Sequence, residues 1–209
     1  CALPILWSNH FYGLCAALLC IETTSSLLNT FPSLDTIILI YVGTVVYYSH
    51  AYLNETKQGV YNERSDWYQK YKKYLHVRQL LLTLLLLYIF FIKLDFIELY
   101  LNIDSTIVGI LLFSLAVAFL YYFPMRTKGI IGFRAKGLIK SISIAWVWSV
   151  TCCLVPMILT KGTAHPTIFF IPHFALYFFQ QFIFILILAI LFDIKDMARD
   201  KEEVVNTIV

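Results

Sequence analysis

Charge is what this 209-residue chain has least of: 14% of its residues are charged, against 60% that are hydrophobic. A water-soluble domain needs far more charge to solvate its surface, so the strongly positive mean hydropathy places most of the chain in lipid. No basic stretch precedes the first apolar run, and Ser8, Asn9 and His10 interrupt it, which argues against a cleaved signal peptide. The apolar runs do not alternate with polar residues, which argues against a β-barrel. No heptad or solenoid period is present, and no nucleic-acid-binding motif, so no nucleic-acid partner is expected. The five cysteines form no disulfide framework, since Cys15, Cys20, Cys152 and Cys153 fall within apolar runs where thiols pack as small apolar groups. Adjacent Cys152 and Cys153 have no histidine at zinc-ligand spacing.

What is present is a series of apolar runs, each close to or above the ~18–20 residues that cross a bilayer. They are Leu3 to Cys20, Leu34 to Leu53, Gln79 to Ile92, Ile107 to Phe123, Leu138 to Leu159 and Ile168 to Phe192. Helices satisfy their own backbone in lipid, so the pattern predicts an all-α, polytopic membrane helix bundle with six transmembrane helices in a single domain over 1–209. The third run is short; His76, Val77 and Arg78 extend it, with Arg78 expected to snorkel toward the headgroups.

Loop charge sets the expected orientation. Lys57, Arg64, Lys70, Lys72, Lys73 and Arg78 lie between the second and third runs. Arg126, Lys128, Arg134, Lys136 and Lys140 lie between the fourth and fifth, and Lys195, Arg199 and Lys201 follow the sixth. All but Lys93 and Lys161 of the 16 basic residues therefore fall on one side, opposite Asp35, Asp95, Glu98 and Asp104. The positive-inside rule makes the basic side, and the N-terminus with it, cytoplasmic. Such a face attracts anionic lipid headgroups or a diphosphate, so membrane lipids are expected partners.

The densest chemistry follows the last apolar run: Phe192-Asp193-Ile194-Lys195-Asp196-Met197-Ala198-Arg199-Asp200-Lys201. Asp193, Asp196 and Asp200 are spaced i, i+3 and i+7, which on a helix confines them to an arc roughly 60° wide. Three carboxylates on one face repel unless a cation joins them, and oxygen-only ligands suit Mg²⁺, which shares its shell with water and substrate phosphate. Lys195, Arg199 and Lys201 are placed to meet phosphate oxygens. The plain alternative is a charged cap that ends a membrane helix.

The string Asp193-Ile194-Lys195-Asp196 with Asp200, directly after a membrane helix, resembles the second aspartate-rich motif of the UbiA superfamily of intramembrane prenyltransferases. The turn Tyr121-Tyr122-Phe123-Pro124-Met125-Arg126-Thr127-Lys128, followed by Arg134, Lys136, Lys140 and Trp146, is similar to that family's tyrosine-proline-basic turn. The resemblance implies Mg²⁺ held by Asp193, Asp196 and Asp200. It also implies Arg126, Lys128, Arg134 and Lys195 on the diphosphate, a prenyl diphosphate donor and a small aromatic or lipid acceptor. It implies further a bacterial inner membrane with the aspartate-rich face cytoplasmic, and about nine helices in a complete protein, of which this chain would be the first two thirds. The family's first motif, Asn-Asp-x-x-Asp after the second helix, is not matched in place. Asn54 and Glu55 stand there instead, as expected diphosphate and metal ligands, while Asn62, Glu63 and Asp66 lie deeper in what reads as a solvated loop.

Other polar residues sit within or beside the runs. Asn9 and His50 fall on the halves expected to face the cytoplasm and so to border the same cavity mouth as Asp193. Gln180 and Gln181 fit interhelical hydrogen bonds, and Glu22 and His173 fit the outer interface. Two further function classes stay open: a non-catalytic lipid-binding or scaffold protein of the same fold, and a small transporter or channel, against which the absence of a broken-helix pair or inverted repeat counts. The charge asymmetry predicts that Lys72→Cys and Arg134→Cys, each in a background without native cysteines, react with an impermeant maleimide in inverted vesicles and not in intact cells. Labelling from outside would reverse the orientation.

Overall fold

The computed structural model describes residues 3–53, 63–93, 104–122, 137–161 and 173–207, and every regular element among them is helical. In chain order these are α1 (Leu3–Trp7), α2 (His10–Leu28), α3 (Leu34–Leu53), α4 (Glu63–Lys70), α5 (Lys72–Tyr88), α6 (Ser105–Tyr122), α7 (Gly137–Ser149), α8 (Val155–Lys161) and α9 (Phe174–Thr207). A π-helical turn, Ile89–Lys93, extends α5, and another, Val150–Leu154, joins α7 to α8. Among the described residues, four segments are long and apolar enough to cross a membrane: His10–Leu28, Lys72–Ile92, Leu138–Thr160 and Phe174–Ile194. The apolar stretches Leu34–His50 and Ser105–Tyr121 are shorter.

Several expected boundaries move, each for a local reason. The first apolar run is two helices, because Asn9 takes the left-handed conformation (φ 67°) that few non-glycine residues adopt. The long helix then starts at His10 and continues past Cys20 to Leu28. Its late polar residues stay helical because Thr23 Oγ1 donates to the Leu19 carbonyl (2.8 Å) and Thr24 Oγ1 to that of Cys20 (3.1 Å). The third span begins at Lys72, seven residues earlier than Gln79. Glu63 to Asp66, expected as solvated loop, opens α4. The last helix starts at Phe174 and continues through its charged end to Thr207; the earlier part of that predicted run, 168–172, lies outside the described residues.

The helices gather into two compact units: α1 to α5 with α8 form one, and α6, α7 and α9 the other. In the first, α2 buries Gly13, Ala16, Ala17, Cys20, Thr23 and Thr24. This stripe of small residues at helical spacing is what lets backbones approach closely in lipid. Ile40, Val42 and Val45 of α3 are buried, as are Cys152, Cys153 and Leu154 of the π-helical turn and Met157 and Ile158 of α8. The described cysteines, Cys15, Cys20, Cys152 and Cys153, are free thiols, and the last three are buried, as expected for packing groups.

Pro156 explains the π-helical turn before α8. It has no N–H to give the Cys152 carbonyl four residues back, and that oxygen lies 2.9 Å from Thr23 Oγ1 of α2, whose single proton it shares with the Leu19 carbonyl. A residue that would break a helix in lipid is thus tolerated because a neighbouring hydroxyl replaces the lost donor.

In the second unit, Ser141, Ala145 and Ser149 of α7 and Gln181, Ile185 and Ala189 of α9 are buried at four-residue spacing. Lys140 meets Asp193 while Trp146, further along α7, meets Phe178, so α7 and α9 run antiparallel. Trp146 also packs edge-on against Phe113 of α6 and donates its indole N–H to Ser114 Oγ at 2.9 Å.

Gly13 gives the sharpest test of the first unit. A Cβ there would lie 2.7 Å from Val45 Cγ2 and 3.0 Å from the Tyr41 carbonyl oxygen, a backbone atom of α3 that cannot rotate away. Gly13→Ala should destabilise the protein by about 1–3 kcal/mol, read as a lowered Tm in detergent, because α2 and α3 must separate. An unchanged Tm would mean that the two helices are not in contact there.

Candidate functional site

Two polar centres stand out among the described residues, one in each unit. In the second unit Asp193 lies toward the end of the apolar part of α9, and Lys140 and Ser141 lie in the first turn and a half of α7. The Lys140 ammonium pairs with Asp193 Oδ1, and Ser141 Oγ donates to Oδ2 at 2.8 Å. The side chains of Lys140 and Asp193 keep 27% and 25% of their exposure, so the pair is partly desolvated yet open to a ligand from outside. A carboxylate held on both oxygens is fixed in orientation, and an ammonium beside it makes a compact anion-and-cation patch.

The helical backbone of α9 continues through Asp196 and Asp200, so the i, i+3, i+7 register of the aspartate string holds along the backbone. The side chains of Lys195, Asp196 and Asp200 lie outside the described ones, and Asn54, Glu55, Arg126, Lys128 and Arg134 lie outside the described residues altogether. Among the described residues no group of three or more His, Cys, Asp or Glu side chains is arranged to hold a metal; of the aspartate triad, only the Asp193 side chain belongs to that set.

In the first unit the break between α1 and α2 is the centre of a hydrogen-bonded network. Asn9 is fully buried; its Nδ2 donates to Ser49 Oγ (3.2 Å) and Tyr68 Oη (3.1 Å), and its Oδ1 accepts from the Arg64 guanidinium. Arg64 Nη2 and Tyr68 Oη both donate to the Trp7 carbonyl, at 3.1 and 2.9 Å. That carbonyl ends α1 and has no helical donor, so the two side chains act as its cap. Arg78 reaches the same network, its Nη2 donating to Ser49 Oγ at 3.0 Å. It therefore turns toward the protein rather than snorkelling to the headgroups, because a buried hydroxyl lies within its reach. His10 Nδ1 is 2.7 Å from Tyr41 Oη, and the rings stack.

Among the sequence candidates, Asn9 was expected beside Asp193, but its partners are Arg64, Ser49 and Tyr68 in the first unit, whereas Asp193 lies in the second on Lys140 and Ser141. Gln181 is buried. Glu22 accepts from Ser26 Oγ on an exposed face, and His173 is exposed. Nothing in the local spacing of Arg64, Tyr68 and Ser141 sets them apart from ordinary loop and helix residues. The one available signal was Asn9 itself, a polar interruption whose donors and acceptor had to be met from elsewhere in the chain.

Comparisons of the chain with known protein families, with curated proteins and with solved structures find no match. The weight of any functional reading therefore falls on the two polar centres.

The Lys140–Asp193 contact makes a measurable claim. In a double-mutant cycle of Lys140→Met and Asp193→Asn, the stability losses should be non-additive by about 1–2 kcal/mol, since each single change leaves a partly desolvated charge or its partner unmatched. Additive losses in thermal denaturation would show that the two groups do not interact.

Proposed function

We propose that this chain belongs to a UbiA-like intramembrane prenyltransferase with six membrane-crossing helices in this stretch. It would lie in a bacterial inner membrane with Asp193 on the cytoplasmic side. Its reaction would move a prenyl group from a prenyl diphosphate to a small aromatic or lipid acceptor, with Mg²⁺. The observation that carries the reading is the pairing of Lys140 with Asp193. Lys140 follows the segment that resembles the family's diphosphate-holding turn, and it meets the first carboxylate of the aspartate string.

The donor set suits the metal: Asp193, Asp196 and Asp200 offer only carboxylate oxygens, and each Asp193 oxygen that accepts from Lys140 or Ser141 keeps a second lone pair. Held by these residues, with Glu55 as the ligand the resemblance adds, Mg²⁺ would supply positive charge to the leaving diphosphate. The chain's own groups share that work. Lys140 would move its ammonium from Asp193 to a diphosphate oxygen, joined by Asn54, Arg126, Lys128, Arg134 and Lys195. Ser141 holds the Asp193 carboxylate in orientation while Lys140 is so engaged. The allylic C–O bond breaks with its electron pair going to the diphosphate, the acceptor's electron pair forms the new bond to carbon, and the acceptor's proton leaves to solvent. Trp146, six residues and about 9 Å further along α7, offers an aromatic face of the kind that stabilises a cation.

A second reading has one observation in its favour. The Lys140 ammonium already neutralises Asp193, as in a non-catalytic lipid-binding or scaffold protein whose ion pair only ties α7 to α9. The two separate on turnover and binding. The transferase releases diphosphate from a labelled prenyl diphosphate in the presence of Mg²⁺ and an aromatic or lipid acceptor. Asp196→Ala should then weaken Mg²⁺-dependent diphosphate binding at least tenfold in titration calorimetry. If Asp196→Ala binds as tightly as the parent and no acceptor supports diphosphate release from the complete protein, the non-catalytic reading stands.

A further inference from the structure

We infer that Arg78 anchors a phosphate-binding site in the first unit, at the shared end of α2, α3 and α5, and that this site takes an anionic phospholipid headgroup or a soluble diphosphate. Arg78 lies within the apolar span Lys72–Ile92 and is half-buried. Its guanidinium makes a hydrogen bond to the neutral Ser49 hydroxyl, while its Nε is buried with no hydrogen-bond partner. Among the described residues no carboxylate forms an ion pair with it. A charge at this depth is costly unless an anion accompanies it, and intramembrane arginines mark binding sites for that reason.

The surroundings favour phosphate over a side-chain carboxylate. The planar guanidinium presents parallel N–H groups that fit two phosphate oxygens at once. The stacked His10–Tyr41 pair stands close enough to feel the Arg78 charge, and the neighbouring Gln79 donates to the Val46 carbonyl at 2.8 Å. Exposed Lys72 and Lys73, less than two turns before Arg78 on α5, raise the local concentration of anions. Beyond Arg78 the same helix exposes Leu80, Leu81 and Leu84, an apolar face along which the acyl chains of a headgroup-bound lipid would lie. This site is independent of Asp193 and of the transferase reading.

The test uses the whole chain in nanodiscs of mixed phosphatidylglycerol and phosphatidylcholine, with retained lipids counted by native mass spectrometry. The wild type should retain phosphatidylglycerol enriched at least tenfold over the bulk mixture. Arg78→Gln should lose that enrichment, and Asp193→Asn should keep it. Inorganic diphosphate added to discs of phosphatidylcholine alone distinguishes the sources. If it raises the wild-type Tm, the Arg78→Gln Tm stays unchanged and phosphatidylglycerol is not enriched, the ligand is a soluble diphosphate. If Arg78→Gln does not fold, the wild type decides: phosphatidylglycerol with a photoreactive headgroup should label the peptide that contains Arg78, and labelling confined to other peptides overturns the site. Neither enrichment nor a diphosphate effect in the wild type overturns it as well, and so does an Arg78→Gln protein that behaves as the parent.

Discussion

The carbonyl of Trp7 is the constraint on which the first unit depends. A buried backbone polar group must find a partner within the protein, and the left-handed turn at Asn9 removes the helical donor that this oxygen would have had. Arg64 and Tyr68 of α4 supply the replacement donors, and Asn9 binds those same two side chains. Through Ser49 the network takes in α3, and through Arg78 it takes in α5. The helix-breaking residue is therefore the point where three further elements, α3, α4 and α5, are tied together, and the short polar helix α4 has its place because of that deficit. Its inner face completes the arrangement, with Tyr68 and Leu75 of α5 closing around Leu53 of α3 and Trp67 packed beside them.

The same rule, applied with less expense, governs the Pro156 region, where one hydroxyl of α2 replaces one lost N–H. The second unit solves a different problem. Its helices are regular and back-bonded, with Ser114 and Ser143 hydroxyls returned to carbonyls of their own helices at 2.7 Å. Polarity concentrates instead in the Lys140, Ser141 and Asp193 group at one end and the Trp146–Ser114 bond further along. One unit spends its polar side chains on backbone repair, whereas the other keeps a charged pair partly open to solvent.

The helical class and the location of the apolar segments were legible in the sequence because both follow from composition and run length, which are local. The ends of the helices were not. Lys72 to Leu75 reads as basic loop, yet it is helical, with Leu75 packed against Leu53, a residue that no window around it contains. Glu63 to Lys70 carries too little apolar residue to announce a buried partner, and its role appears only once the broken end of α1 is known. Asp193 was identifiable as a site candidate by its spacing to Asp196 and Asp200. That Lys140 would be its partner was hidden among equally plausible basic residues, since the choice is made by the antiparallel pairing of α7 with α9. Gly13 gave no signal at all; its importance rests on how near the α3 backbone lies.

Capping Trp7 from Arg64 and Tyr68 also fixes an order of events during synthesis. The donors lie 57 and 61 residues downstream of the carbonyl they serve. When the ribosome has delivered α1 to α3 but not yet α4, α1 has an unmet oxygen and Asn9 an unmet amide. At ~5–20 residues per second, that interval lasts from about three to about twelve seconds. Until α4 emerges, water or lipid headgroups must serve those atoms, so Leu3–Trp7 is expected to settle into its final position only after Arg64 and Tyr68 have been made.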